Sequence, residues 1–353
     1  AGANAFWLGN LTYEQSNYLA TEPMFKRYLA YSEKMYQLAP NDFNSIMELS
    51  YSHNSLGSLY LKQFNYALAK QSFTESLKLK NQALALKPDN KNLLRDKTDT
   101  ISWIATTEEN LGNLSEALLM LEQAINQLDS VLKIRPDDAS LLNDIFNIYM
   151  QQSYLLSYFP DKKDAYLKAE NATISIKKAL RQDPNNVNFK RKYYRSLSYQ
   201  LMLLEDNKTS DEAIEVINYI NTLTSSNPTI INIRISLIKY FINRKNYQKA
   251  KELLNELEND SEFKERINNT RKIENKSILI KTYLIKAKLE KDPISKSEFC
   301  RKVISTTEEN SSGSKSIKTV YPLIQAYICL NKVSEIEKNK SKLIELGITN
   351  FDL

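Results

Sequence analysis

The chain has 353 residues, of which 25% are charged and 42% hydrophobic, with only 6 glycines and 9 prolines. That composition supplies ample apolar surface for a core and argues against a loop-rich β fold. The net charge of +6 is unevenly placed: residues 1–230 hold 24 Lys and Arg against 26 Asp and Glu, and residues 231–353 hold 24 against 16. No run approaches the roughly 18 apolar residues of a membrane-spanning helix, and no secretory signal is visible at the start.

Taken in order, the chain opens on Leu8-Gly9, which lies 48 residues before Leu56-Gly57. This register places residue 1 partway through the first helix of a repeat. The expectation is a fragment, or a segment preceding Ala1 in the native protein. The same period then governs Ala69, Ala117, Ala165 and Ala213, and also Pro40, Pro88, Pro136 and Pro184. A fixed period of this length is the mark of stacked repeats. Within one repeat, Asp89-Asn90 reads as a turn and helix cap, and a helix runs on to Asn110. Leu111-Gly112-Asn113 reads as its stop, glycine suiting a left-handed cap. A second helix runs from about Leu114 to Ile134. Ala117, Leu121 and Ala124 lie on one face of it. The first helices carry a small residue at their own contact point, namely Gly57, Ala105 and Ser153, but Leu201 breaks the series.

Past residue 230 the spacing changes. Ala250, Leu254 and Leu257 close a shorter repeat. Residues 263–290 read as one long helix, 294–308 as another, 309–315 as a loop, and 316–331 with 333–346 as a closing hairpin. Pro322 predicts a late start or a kink in the first of these. The expected organisation is therefore 1–230 as a long-helix array, 231–260 as a shorter repeat, and 261–353 as irregular helical repeats with a cap.

These features resemble the tetratricopeptide repeat (TPR) family, carried by Leu56-Gly57, Tyr60, Ala69, Phe73 and Pro88 in that order. The family's usual period is about 34 residues, so each helix here is longer by a heptad, a change that nearly preserves register. The chain looks like the long-helix arrays of bacterial signalling proteins. The resemblance implies an all-α, right-handed superhelical solenoid of antiparallel helix pairs. It also implies a concave face lined by the first helix of each repeat, with a protein or peptide partner. The groove residues it points to are Asn54, Ser58 and Leu61; Ser102, Thr106 and Glu109; Met150 and Tyr154; Ser198 and Met202; and Ile235, Lys239 and Ile242. The family's carboxylate-clamp variety needs repeated Lys and Asn here, and only Asn54 and Lys239 fit.

The search for chemistry yields little. The one histidine, His53, falls at a core-facing position. No phosphate loop, dinucleotide fingerprint or metal-binding motif occurs, so the expectation is a non-enzymatic scaffold with no cofactor and no metal. Cys300 and Cys329 form no disulfide framework and do not decide the compartment; a cytoplasmic setting is expected ahead of a periplasmic one. Glu108-Glu109 and Glu308-Glu309 are adjacent on helices, do not face one another, and read as solvated. Tyr193, Tyr194 and Tyr199 lie among Lys190, Arg191, Lys192 and Arg195. That interleaving is compatible with nucleic acid, but amphipathic packing is the favoured reading. The run from Arg234 to Lys251, with its six basic residues and no acid, has the same two readings. The leading expectation is the partner-binding part of a larger bacterial signalling or regulatory protein. The alternatives are a nucleic-acid-associated repeat using the basic C-terminal third, and a groove that serves the protein's own missing N-terminal domain.

Overall fold

The computed structural model describes residues 2–159, 161–203, 211–222, 228–269, 273–310 and 316–345, and among them every regular element is an α-helix. The helices follow one another as hairpins in two compact units.

Unit 1 contains α1 (Gly2–Glu14), α2 (Tyr18–Leu38), α3 (Phe43–Lys62), α4 (Tyr66–Leu86), α5 (Lys91–Leu111) and α6 (Leu114–Leu132). Each helix packs against the next, and the short turns make neighbours antiparallel. Local chemistry sets the turns. Asn17 and Asn65 cap α2 and α4 through their side-chain oxygens, accepting from the amides of Ala20 and Leu68. Asn113 stands at the same place before α6. These three lie 48 residues apart. The residue before each, Ser16, Phe64 or Gly112, is left-handed, with φ of 59°, 61° and 90°. Gly112 adopts that conformation freely, whereas Ser16 and Phe64 do so with strain. The first helices are capped on the same ruler, by Asp42, Asn90, Asp138 and Asn186. Each cap satisfies backbone amides that a helix start leaves open.

Close approach within unit 1 rests on small residues. A Cβ at Gly57 would stand 2.8 Å from two ring carbons of Phe73, and one at Gly9 would stand 2.5 Å from the Phe25 ring. Ala69, Ala117 and Phe73 have no exposed surface. Phe73 stacks on Trp103 with centroids 6.2 Å apart.

Unit 2 begins with α7 (Ala139–Leu156), α8 (Lys163–Gln182), α9 (Val187–Leu203), α10 (Asp211–Asn221), α11 (Pro228–Asn243) and α12 (Tyr247–Asn259). It continues with α13 (Ser261–Asn268), α14 (Ile273–Leu289), α15 (Pro293–Asn310), α16 (Ile317–Cys329) and α17 (Val333–Glu345). The pairs are α7/α8, α9/α10, α11/α12, α14/α15 and α16/α17, with α13 inserted. The first helices touch in a row: α9 meets α11, α11 meets α14, and α14 meets α16. Ala165, Ala213 and Ala250 are fully buried between paired helices. The boundaries expected at 230 and 260 both fall inside unit 2.

Four expectations about the C-terminal part of the chain need correction. The long helix expected over 263–290 is two, because α13 ends before Asn269, whose carbonyl accepts from the Asn275 amide. The loop expected from 309 starts later, since α15 runs through Asn310; residues 311–315 lie outside the described residues. Pro322 does not delay α16, which starts at Ile317 and runs through it. The two cysteines are joined: Cys300 on α15 and Cys329 at the end of α16 form a disulfide across the α15/α16 packing.

Glu308 and Glu309 are exposed as expected, but Glu108 and Glu109 are not solvated. They are only 2% and 3% exposed. The Glu108 carboxylate holds Lys70 at 2.5 Å and accepts from the Asn113 amide at 2.7 Å. Glu109 accepts from the Ser316 hydroxyl. Polar partners on both sides of α5 make the burial tolerable. No described helix is long and apolar enough to cross a membrane.

Candidate functional site: the rows of first helices

In unit 1 the first helices α3 and α5 are joined by polar side chains. The Tyr51 hydroxyl donates to Asp96 at 3.0 Å, and Thr100 meets Asn54 Oδ1 at 3.5 Å. Lys80, reaching from α4, donates to the Asp96 carbonyl and the Thr100 hydroxyl at 2.9 and 2.7 Å. Burial pushes its pKa down to about 8. Asn54, Ser58, Leu61, Ser102 and Thr106 are half-buried along this face. Thr106 donates to the Ser102 carbonyl. His53 is half-buried, and burial lowers its pKa.

In unit 2 the row is more charged. Lys192 on α9 donates to Asn143 and Asn147 on α7 at 2.6 and 2.9 Å. Arg195 donates to the Tyr154 hydroxyl at 2.8 Å and lies over that ring, 5.3 Å from its centroid. The Tyr154 ring meets Tyr199 edge to face at 4.5 Å. On α14, Lys281 donates to Asn232 of α11 at 2.9 Å. Lys239 of α11 sits near enough to Lys288 and Lys281 to feel both charges. Burial first, then the neighbouring cations, pushes Lys281 down to about 7 and Lys239 to about 8.

Among the residues expected in the groove, Tyr154, Met202 and Lys239 are half-buried in this row. Met150 and Ser198 are not available. They are 2% and 0% exposed, because Met150 faces the helix packing and Ser198 folds back onto the Arg195 carbonyl. Glu109, Ile235 and Ile242 are buried as well. Sequence reading took Lys192 and Arg195 as ordinary helix surface and passed over Lys281, Lys288 and Lys318. The signal that finds them is a charge census by alternate helix. In α9, α11, α14 and α16 together, eleven residues are Lys or Arg and Glu274 is the one acid. The intervening α10 has three acids and no base.

The basic run from Arg234 to Lys251 is not one patch. Arg234 pairs with Asp260 at 3.2 Å, Arg244 lies over Tyr240, and Lys249 pairs with Glu252. On the other side of α9, a hollow of about 1000 Å³ is lined by Lys177, Arg181, Lys190, Tyr193, Tyr194 and Tyr219. Tyr194 and Tyr219 stack on each other at 3.8 Å. Among the described residues no group of acids, histidines and cysteines could hold a metal.

A family model described as "Plant specific mitochondrial import receptor subunit TOM20" matches residues 96–205, which run from α5 to α9. No curated protein matches. Among solved structures, a monomeric IFIT1 mutant with Gppp-AAAA is 13% identical, with a TM-score of 0.46 over 98% of this chain and 69% of that one. Yeast Tom70 is 11% identical, with a TM-score of 0.39 over 99% and 93%. The P58(IPK) TPR domain is 11% identical, with a TM-score of 0.24 over 99% and 94%. The chain is thus a TPR-like helical repeat by its own helix pairing, and these low scores carry no argument about its activity. The bacterial signalling setting finds no support among the matches.

Proposed function

We propose that the chain is a non-enzymatic binding module that takes a protein segment along its first helices. The observation that carries this reading is the row α9–α11–α14–α16 in unit 2. Successive helices there present half-buried polar and charged side chains, where the stacking itself needs only apolar ones. Tyr154, Met202 and Lys239 are the partner-facing residues proposed in unit 2. Asn54, Ser58, Ser102 and Thr106 are those proposed in unit 1. The Cys300–Cys329 disulfide favours an oxidising compartment over the cytoplasm, since cytosolic thiols are kept reduced.

The test is site-specific photocrosslinking. A benzophenone amino acid at position 154 or 202 of the full chain should yield the same crosslinked protein, and the same probe at exposed position 338 should not. Equal crosslinking from all three positions would refute the assignment. A second reading, nucleic-acid binding, draws on the same basic helices. Phosphate contacts would make affinity fall steeply with salt.

A further inference from the structure

Lys190, Tyr193 and Tyr194, at i, i+3 and i+4, share one face of α9. Lys192 and Arg195 reach α7 from another. The first face lines the hollow of about 1000 Å³, whose other walls come from the last turns of α8 and of α10. The hollow lies where the array changes gauge. α8 and α10 start 48 residues apart, at Lys163 and Asp211, but α8 has 20 residues and α10 has 11. The end of α8 therefore runs on past the point where α10 stops.

The floor of the hollow is aromatic and its rim is cationic. Tyr194 and Tyr219 stack at 3.8 Å, and Tyr193 meets Tyr194 edge to face at 5.0 Å. All three rings are half-buried. Lys177, Arg181 and Lys190 stand exposed around them, and among the described residues no carboxylate pairs with any of the three. Arg191 is close enough to Tyr219 for its charge to act on the phenol. Its buried Nε has no hydrogen-bond partner among the described residues. The one acid in the lining, Glu215, accepts from the hydroxyls of Tyr193 and Tyr194.

We propose that this hollow binds a nucleoside phosphate, with the base extending the Tyr194–Tyr219 stack and the phosphates held by Lys177, Arg181 and Lys190.

Each part of the site answers a part of that ligand. A base offers a π face to a tyrosine ring. Guanidinium and ammonium groups take phosphate oxygens through charge-assisted hydrogen bonds. A carboxylate repels phosphate and needs a donor, which a ribose hydroxyl or a base amino group supplies. Glu215 keeps acceptor sites for it beyond the two that the tyrosines use. The Asn218 amide and the Thr222 hydroxyl, also in the lining, add hydrogen-bonding groups for the sugar. A lipid phosphate would engage the cations and leave the rings and Glu215 unmatched. A concave, largely apolar surface with a few convergent polar groups is the usual form of a small-molecule site. The proposal is independent of the binding-module reading, which concerns other helix faces.

The test is calorimetric titration of the full chain, disulfide intact, with ADP, with adenosine and with pyrophosphate. ADP should bind at least tenfold more tightly than either half of it. Arg181→Gln with Lys190→Gln, both exposed, leaves the packing untouched and should lower ADP affinity at least tenfold, whereas Lys338→Gln should not. Tyr219→Leu should erase the preference for ADP over pyrophosphate, with circular dichroism and the unfolding midpoint checking that this variant folds. Pyrophosphate binding as tightly as ADP would reduce the hollow to a phosphate-attracting surface and overturn the proposal. So would an absence of ADP binding, or ADP affinity unchanged in the Arg181→Gln, Lys190→Gln variant. A single-stranded oligothymidylate that binds more tightly than ADP and displaces it would assign the hollow to a nucleic-acid strand instead. None of these results bears on crosslinking from positions 154 and 202, so the two readings fail separately.

Discussion

Gly57 gives the sharpest handle on the stacking. Alanine there would put a methyl group 2.8 Å from Phe73 Cδ1 and Cε1 and 3.0 Å from Cγ, where carbon atoms prefer about 3.5–4.0 Å. The ring has nowhere to go. It is fully buried among Ala69, Ile104 and Tyr60 and stacked on Trp103. Overpacking of this kind costs about 1–3 kcal/mol. Replacing glycine inside a helix returns about 1 kcal/mol of propensity, so Gly57→Ala should destabilise unit 1 by about 0–2 kcal/mol. In a Phe73→Ala background the obstacle is gone and only the propensity gain remains. There the same substitution should stabilise by about 1 kcal/mol. The sign reversal is the test. Both tryptophans, Trp7 and Trp103, lie in unit 1, so urea unfolding followed by tryptophan fluorescence reads this unit. Equal effects of Gly57→Ala in the two backgrounds would mean that the ring does not set the approach of α3 to α4. Gly9 against Phe25 repeats the geometry one period earlier.

Ala117→Leu or Ala165→Leu, each at a position with no exposed surface, should cost about 1–3 kcal/mol; an unchanged melting temperature for both would show that these alanines do not set the helix spacing. Lys80 binds its proton less tightly when folded, with a pKa of about 8 against 10.5, because of burial and despite the opposing pull of Asp96 and Asp99. The unfolded chain therefore holds more protons above pH 8, and stability should rise from pH 8 to pH 10. Beyond pH 10 the tyrosines with raised pKa, such as Tyr51 at about 12, act in the opposite direction. Lys80→Met should flatten the rise, and an unaltered slope would refute the assignment. Cys300→Ser with Cys329→Ser opens a loop of 29 residues, for which chain entropy gives about 3–4 kcal/mol. Reductant should lower the unfolding midpoint of the wild-type chain and leave that of the double variant unmoved; no effect on the wild type would mean the bridge adds no stability.

The helix pairs were legible because their signals are local. Caps at Asn17 and Asn65, or at Asp42, Asn90 and Asp138, each act within three residues, and a period of 48 repeats them. Gly112 announces a left-handed turn by its lack of a Cβ. What escaped notice depends on helices that are not neighbours in the chain. Adjacent glutamates on a helix do not face one another, and on that ground both read as solvated. Glu108 and Glu109 are both buried because α5 has partners on more than one side. The Cys300–Cys329 bridge needs α15 against α16. The end of α13 is hidden because the apolar spacing resumes after it. Met150 and Ser198 share a helix face with Tyr154 and Met202, four residues on, so register alone places them in the groove; both are buried, whereas Tyr154 and Met202 are half-buried. The basic row is invisible in any local window, since acid-rich α10 and α12 separate its members.

The lysine cluster has a thermodynamic consequence that separates folding from function. Nothing in the stacking calls for it: Ala165, Ala213 and Ala250 bring the helices together, and methionine would fill the lysine positions without a charge. The folded pKa of Lys281, about 7, lies below the usual 10.5, so the penalty on its protonated form is fully present below pH 7 and fades as the pH rises toward 10.5. Lys239, at about 8, behaves alike. Lys239→Met with Lys281→Met should therefore raise the melting temperature of unit 2 at pH 6, and the gain should shrink at pH 10. The same variant should bind the protein segment proposed for this row less well. Stability gained and binding lost in one substitution is the signature of residues kept for a ligand. If the variant is less stable than the wild type at pH 6, the lysines serve the fold, and Lys239 does not belong among the partner-facing residues.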